Sequence, residues 1–218
     1  MPADEVFRLV RRELRKKSAP LASRYGLKSA LSKLGPDGFA FEKYVAALFA
    51  HQGYRTRLDV VLAGRCVSHE VDVLAANETG EWGVECKFHR QVGKRCDVKT
   101  ALYVQARAVD LGKAGSFFLA TNAKFSRDAV AYAACSGLSL LGWDHPKDEG
   151  LRELATQANL YPVTCLSGLR ASTTRSLIDQ GFVLCQDLAK RSKEALSLPL
   201  PKDELQHAIQ SAKILLET

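Results

Sequence analysis

The chain has 218 residues and a formal net charge of +7, from 31 Lys+Arg against 24 Asp+Glu. That length suits one large domain, or a core domain with small additions, and buries a core without disulfide or metal staples. The 46% hydrophobic and 25% charged content exclude disorder as the main state, and a pI near 9.1 admits a polyanion partner without requiring one.

The opening stretch MPADEVFRLVRRELRKKSAP lacks an apolar core and a small-residue cleavage site, so no secretory signal is expected. No apolar run approaches membrane-spanning length, so no membrane partner is expected. The six Cys (66, 86, 96, 135, 165 and 185) form no CxxC pair, which argues for small buried hydrophobes rather than a zinc site. Together these features predict a cytoplasmic protein.

The charge is uneven. Residues 1–35 hold 9 Lys+Arg and 3 Asp+Glu, residues 36–145 hold 13 and 12, and residues 146–218 hold 9 and 9. The basic end reads as a helix. Val6, Leu9, Val10 and Leu14 make an apolar stripe, and Arg8, Arg11, Arg12, Arg15, Lys16 and Lys17 cover much of the remainder. Ser18-Ala19-Pro20 breaks it, and a second helix runs over roughly residues 21–34 to Gly35-Pro36.

FAFEKYVAALFAHQGY then reads as a helix stopped by Gly53. RTRLDVVLAG and CVSHEVDVLAA read as strands around a turn at Gly64, and Glu78-Thr79-Gly80 turns the chain into a third strand, EWGVECKFH. Residues 97–111 read as a helix capped by Asp97, with Val98, Ala101, Leu102, Gln105 and Val109 on one face. GSFFLATN is a buried strand, KFSRDAVAYAACSG a helix with Ser126 as a candidate cap, and LSLLGWD a last strand. The order predicts an α/β fold, a mixed sheet flanked by helices. His145-Pro146 marks a boundary to a helical tail, whose last helix covers 202–216. The expected domains are therefore basic helices over 1–35, the mixed domain over 36–146 and a small all-α domain over 147–218.

VECKF sets Glu85 and Lys87 two apart on a strand, hence on one face, with Cys86 pointing away. The antiparallel return brings Asp72 of HEVDVLA towards Glu85. Acids inside a strand are poor strand formers and costly to bury. Two readings stand: Asp72, Glu85 and Lys87 form a solvated ion-pair set on an open sheet face, or the acids share a hard divalent cation. In the second reading Lys87 orients a water or meets a phosphate oxygen, which is metal-assisted phosphodiester hydrolysis.

The stretches FEKYVAALFAHQGY, HEVDVLA, VECKF, the helix carrying Gln105, and FFLATNAKFSRDAVAYAACSGLSLLGWD resemble, in this order, the PD-(D/E)XK nuclease superfamily. More closely, they resemble its Mrr-like restriction endonuclease family, over residues 38–144. The resemblance implies a restriction-endonuclease-like fold and Mg²⁺-dependent cleavage of DNA, with Mn²⁺ able to substitute. It places Glu42, Asp72, Glu85 and Lys87 in the active site, with Asp72, Glu85 and the Cys86 carbonyl as metal ligands. It also implies that Lys87 positions the attacking water, and that Gln105 holds Lys87 or a DNA phosphate. The family's Pro is absent, since Val71 precedes Asp72.

Bland alternatives remain for two of these residues: Glu42 as a surface helix acid paired to Lys43, and Gln105 as a partly buried polar residue capping a strand end. His69 and His89 flank the site strands and have no nucleophile partner in a recognisable setting. The loop from Lys87 to Arg95 is locally basic and suits phosphate contact, or is simply solvated.

The tail segment from Leu160 to Ser192 resembles a degenerate helix-hairpin-helix unit, with Gly168 and Gly181 beside its helices. It lacks the GxG hairpin of the DNA-binding version, so packing or dimerisation is an equal reading. Residues 4–34 resemble the closing helices of an ATP-cone domain without its nucleotide-binding part, so no ATP site is expected. Cutting both strands of a duplex takes two active sites, which makes a homodimer the expected assembly. The competing functions are a DNA-binding or scaffold protein with little catalysis, and a nuclease acting on RNA or branched DNA.

Overall fold

The structure, a computed structural model, describes residues 3–217, with some side chains before residue 25 outside the described set. The chain divides into two compact units, one running from Gly35 to Ala158, the other joining the residues up to Leu34 with those from Asn159 onward.

The second of these contains two N-terminal helices, α1 (Ala3–Lys17) and α2 (Ala19–Leu31). The break between them lies where expected. Ser18 adopts an extended conformation, and its hydroxyl accepts from the Leu21 amide, which starts a new helix. On the expected basic face Arg12 and Lys17 are exposed, and the side chains of Arg8, Arg11, Arg15 and Lys16 lie outside the described residues.

The sheet unit begins with α3 (Phe39–His51), which packs against β1 (Arg55–Ala63), β2 (Ser68–Asn77) and β3 (Gly80–Lys87). The short strand β4 (Arg95–Cys96) leads into α4 (Val98–Asp110), capped by Asp97 through the Thr100 amide at 3.1 Å. Next come β5 (Phe117–Thr121), the short β6 (Lys124–Phe125), α5 (Arg127–Ser136), β7 (Ser139–Leu141) and α6 (Leu151–Gln157). Ser126 caps α5 through the Ala129 amide, and Gly137 ends it in the left-handed region at φ 76.

One five-stranded sheet has the order β1-β2-β3-β5-β7. β1, β2 and β3 pair antiparallel, and β3, β5 and β7 pair parallel. This is the mixed sheet that the strand and helix order predicts. The α4 and α5 helices supply the crossovers, since parallel neighbours cannot be joined by a hairpin. The interior joins Val71 and Val104 to Phe117, Leu119, Ala129 and Leu140. Gly83 permits the tight fit of β3 on β5: a Cβ there would stand 2.1 Å from the Phe117 ring.

Three details differ from the sequence reading. β4 and β6 form an unforeseen two-stranded parallel ladder. The buried face of α4 is Ala101, Val104, Gln105, Arg107 and Ala108, whereas Leu102 and Val109 are exposed. α6 packs with the sheet unit, its first amides bonding the carbonyls of Gly142 and Trp143.

The helical unit continues with a 3-10 turn (Val163–Cys165), α7 (Ala171–Asp179), α8 (Cys185–Lys190), α9 (Ser192–Ser197) and α10 (Lys202–Leu216). Thr164 ties this turn to α2 through the Ala30 carbonyl at 2.8 Å. Both flanking glycines of the hairpin, Gly168 and Gly181, have φ +82. At the start of α7 the Arg170 amide donates to Glu204 on α10, and the Arg170 guanidinium bonds the same carboxylate. That acid occupies the helix N-terminus where the helix-hairpin-helix reading would seat a phosphate. Among the described residues, no helix is long and apolar enough to cross a membrane.

Candidate active site

The β2–β3 ladder runs from Asn77–Gly80 to Val73–Val84 and stops there. The next step sets Asp72 beside Glu85. There the Cys86 amide donates to Asp72 Oδ2 at 2.6 Å, so a side chain replaces the backbone acceptor and the strands part. On the other side Leu58–Val73 and Val60–Val71 bracket Asp59, which lies across from Asp72 with its backbone at φ 52. Three adjacent strands thus carry Asp59, Asp72 and Glu85 at one level of the sheet.

Glu85 is 3% exposed. Its Oε1 accepts from Lys87 Nζ at 2.6 Å and its Oε2 from Arg107 Nη1. The same guanidinium donates through Nη2 to the Glu70 carbonyl, which holds β2 and β3 together where their ladder has ended. Lys87 is half-buried, which disfavours its ammonium, but the hydrogen bond and charge of Glu85 and the charge of Asp72 override this and raise its pKa. Tyr103, exposed on α4, covers both cations, its ring centre 5.8 Å from Lys87 Nζ and 5.5 Å from Arg107 Cζ.

Glu42, in the first turn of α3, joins this group electrostatically. Burial, then the charges of Asp72, Asp59, Glu85 and Glu70, push its pKa up to about 7. Burial and Glu85 raise Asp72 to about 6, against the stabilising Cys86 amide and the nearby Lys87 and Arg107 charges. Of the sequence candidates, Glu42, Asp72, Glu85, Cys86 and Lys87 are thus brought together.

Gln105 is not. Its Nε2 donates to the Ser136 carbonyl at 3.0 Å. Ser136 ends α5 near the start of β7, and β7 begins opposite Phe118, whereas Lys87 pairs with Thr121 at the other end of β5. Gln105, expected to hold Lys87 or a DNA phosphate, bonds Ser136 instead of Lys87; Arg107, two residues further on, reaches Glu85. Nothing in the apolar stripe of α4 singled out this arginine, because periodicity does not say which polar residue is buried.

His69 has a structural place: its Nε2 lies 2.8 Å from Asp110 Oδ2, the carboxylate that also accepts the Cys66 and Val67 amides. His89 is fixed through its backbone, with Asn122 bonding both its N–H and its carbonyl at 2.8 Å. Thr121 likewise donates to the Lys87 carbonyl at 2.6 Å. The exit of β3 is therefore held from β5 by two buried polar residues.

Two family models match the chain: Mrr_cat, described as restriction endonuclease, over residues 35–145, and AF1548-like, C-terminal, over residues 161–216. An uncharacterized protein of Archaeoglobus fulgidus is 34% identical over 172 residues, spanning 78% of this chain and 98% of that one. A crystal structure of a protein of unknown function, AF1548, is 32% identical with a TM-score of 0.72, covering 84% of this chain and all of that one. The MspJI restriction endonuclease in complex with a 27-mer oligonucleotide is 16% identical with a TM-score of 0.42, over 85% of this chain and 39% of that one. The match over residues 35–145 covers half of this chain and the whole of its mixed sheet, and the chain belongs to the Mrr-type restriction endonuclease family.

Proposed function

We propose that the chain is a Mg²⁺-dependent DNA endonuclease, with Mn²⁺ able to replace Mg²⁺. The observation that carries this reading is the meeting of Asp72, Glu85 and Lys87 where the β2–β3 ladder ends, within reach of the charge of Glu42. The donors suit a hard divalent cation: oxygens from Asp72, Glu85 and the Cys86 carbonyl, with Glu42 beside them. The raised pKa values of Asp72 and Glu42 come first from burial and then from the neighbouring carboxylates, and a bound cation would offset both. Among the described residues, no three His, Cys, Asp or Glu are gathered into a ready cation cage. Lys87 and Arg107 each occupy one oxygen of Glu85, and each oxygen keeps a second lone pair that can face a cation.

A bound divalent cation supplies Lewis acidity at the phosphate and lowers the pKa of its water. Lys87, kept protonated beside Glu85, orients the attacking water and offsets charge developing on the phosphate. Arg107 positions Glu85. A homodimer, presenting two such sites to one duplex, is the assembly this chemistry calls for. A second reading, DNA binding with little catalysis, is favoured by one observation: both oxygens of Glu85 are engaged by cations.

Incubation with supercoiled plasmid, single-stranded RNA and a branched duplex separates these readings, each with Mg²⁺, Mn²⁺ or EDTA. The proposal expects plasmid cleavage with either metal and none in EDTA. Binding without cleavage would favour the second reading. Cleavage confined to RNA or the branched duplex would replace DNA duplex as the substrate.

A further inference from the structure

Directly after Lys87 the chain leaves β3 and forms a cleft of about 600 Å³, lined by Pro36, Phe88, His89, Arg90, Gln91 and Lys94. Its volume lies within the range of about 300–1,000 Å³ common for ligand sites. Its walls differ in chemistry. Phe88 packs its ring on Phe41, with centroids 5.8 Å apart, and with Pro36 forms an apolar side. Arg90 and Lys94 are exposed, and neither side chain has an ion-pair partner among the described residues. His89 is anchored by Asn122 through its backbone alone, which leaves its ring free of that duty. The ring Nε2 is buried without a hydrogen-bond partner.

An unpaired buried nitrogen is costly in a folded protein, and a ligand in the cleft relieves that cost only by drawing the ring outward to meet it. Burial, then the Lys94 charge, lowers the His89 pKa despite Asp97, which favours the neutral ring. A neutral imidazole reads a heterocycle edge better than a phosphate, since it offers one donor and one acceptor. Inorganic phosphate would leave the apolar wall unused, and a purely apolar ligand would leave both cations unused. A nucleotide uses all of them: its phosphate meets Lys and Arg, and its base stacks on or beside an aromatic ring.

We propose that this cleft binds one unstacked nucleotide beside the phosphodiester to be cut. Arg90 and Lys94 hold its phosphate, while His89 and Gln91 meet the base edge against Phe88 and Pro36. The inference rests on the nuclease reading for its substrate, and it gives that site a base-sensitive subsite one residue from Lys87.

Fluorescence anisotropy in EDTA tests it with the full chain. The probes are a short single-stranded oligodeoxynucleotide and an abasic chain with the same number of phosphates. His89→Ala should weaken the intact oligonucleotide about tenfold and leave the abasic one unchanged, the size of one lost base contact. Gln91→Ala should act in the same direction, and Arg90→Ala with Lys94→Ala should weaken both probes. The proposal is overturned if His89→Ala and Gln91→Ala affect both probes alike or neither. It is equally overturned if the double cation variant binds both as the unaltered chain does. The assay contains no divalent cation and measures no cleavage, so it judges the cleft separately from the nuclease reading.

Discussion

Arg107 on α4 and Glu85 on β3 form a buried ion pair, Nη1 to Oε2, while Lys87 takes the other Glu85 oxygen at 2.6 Å. Glu85 is thereby compensated from two elements, and Arg107 also bonds the Glu70 carbonyl on β2. Removing Arg107 leaves Glu85 with Lys87 as its remaining cation and takes a donor from the Glu70 carbonyl. Arg107→Ala should therefore destabilise the protein by about 1–3 kcal/mol. Pairing it with Glu85→Gln should recover much of that loss. Urea unfolding of the two variants and the unaltered chain checks both statements; a harmless Arg107→Ala would contradict the role given to the pair.

The acids should make the metal-free protein less stable as pH rises. Glu42 moves from an ordinary 4.5 up to about 7, and Asp72 from 3.8 up to about 6. A carboxyl with a raised folded pKa binds its proton more tightly when folded. Its contribution is fully present below the unfolded pKa and is lost as pH rises through the folded one. The window is therefore about pH 4 to 7 for the two groups together. Thermal unfolding midpoints measured across it should fall less steeply in Glu42→Gln than in the unaltered chain. Added Mg²⁺ should raise the midpoint more at pH 8 than at pH 5.

Asp110 staples the β1–β2 turn. Its carboxylate accepts the Cys66 amide at 2.8 Å and the Val67 amide at 3.3 Å, and the side chains of Cys66 and His69, followed by these amides, hold its pKa well below the usual carboxylate range. Its own carbonyl accepts the Arg65 amide. In Asp110→Ala the amides of Cys66 and Val67 should lose their hydrogen-exchange protection at neutral pH, while those of the β2–β3 ladder keep theirs. The same two amides should lose protection in the unaltered chain as acid protonates Asp110.

These relationships mark where the sequence was readable. The order of helices and strands follows from alternation, β-branched runs and caps such as Asp97 and Ser126, which act locally. Asp72, Glu85 and Lys87 could be grouped because strand spacing and one short turn determine their meeting. Arg107 and Gln105 could not be told apart in that way. Both are buried on α4, and which one faces Glu85 depends on how the helix sits on β5, a tertiary matter. Nothing local marks Asp59, because its place across from Asp72 depends on strand register. The β4–β6 ladder is two residues long on each side, too short for any periodicity.

The central claim is that Asp72 and Lys87 carry metal-dependent DNA cleavage. Single-turnover plasmid cleavage with Mg²⁺ tests it most directly, on the unaltered chain beside Asp72→Asn and Lys87→Ala. Cleavage by the unaltered chain is expected, with a loss of about a hundredfold or more in each variant and folding retained. No cleavage by the unaltered chain, or equal rates in all three, would contradict it.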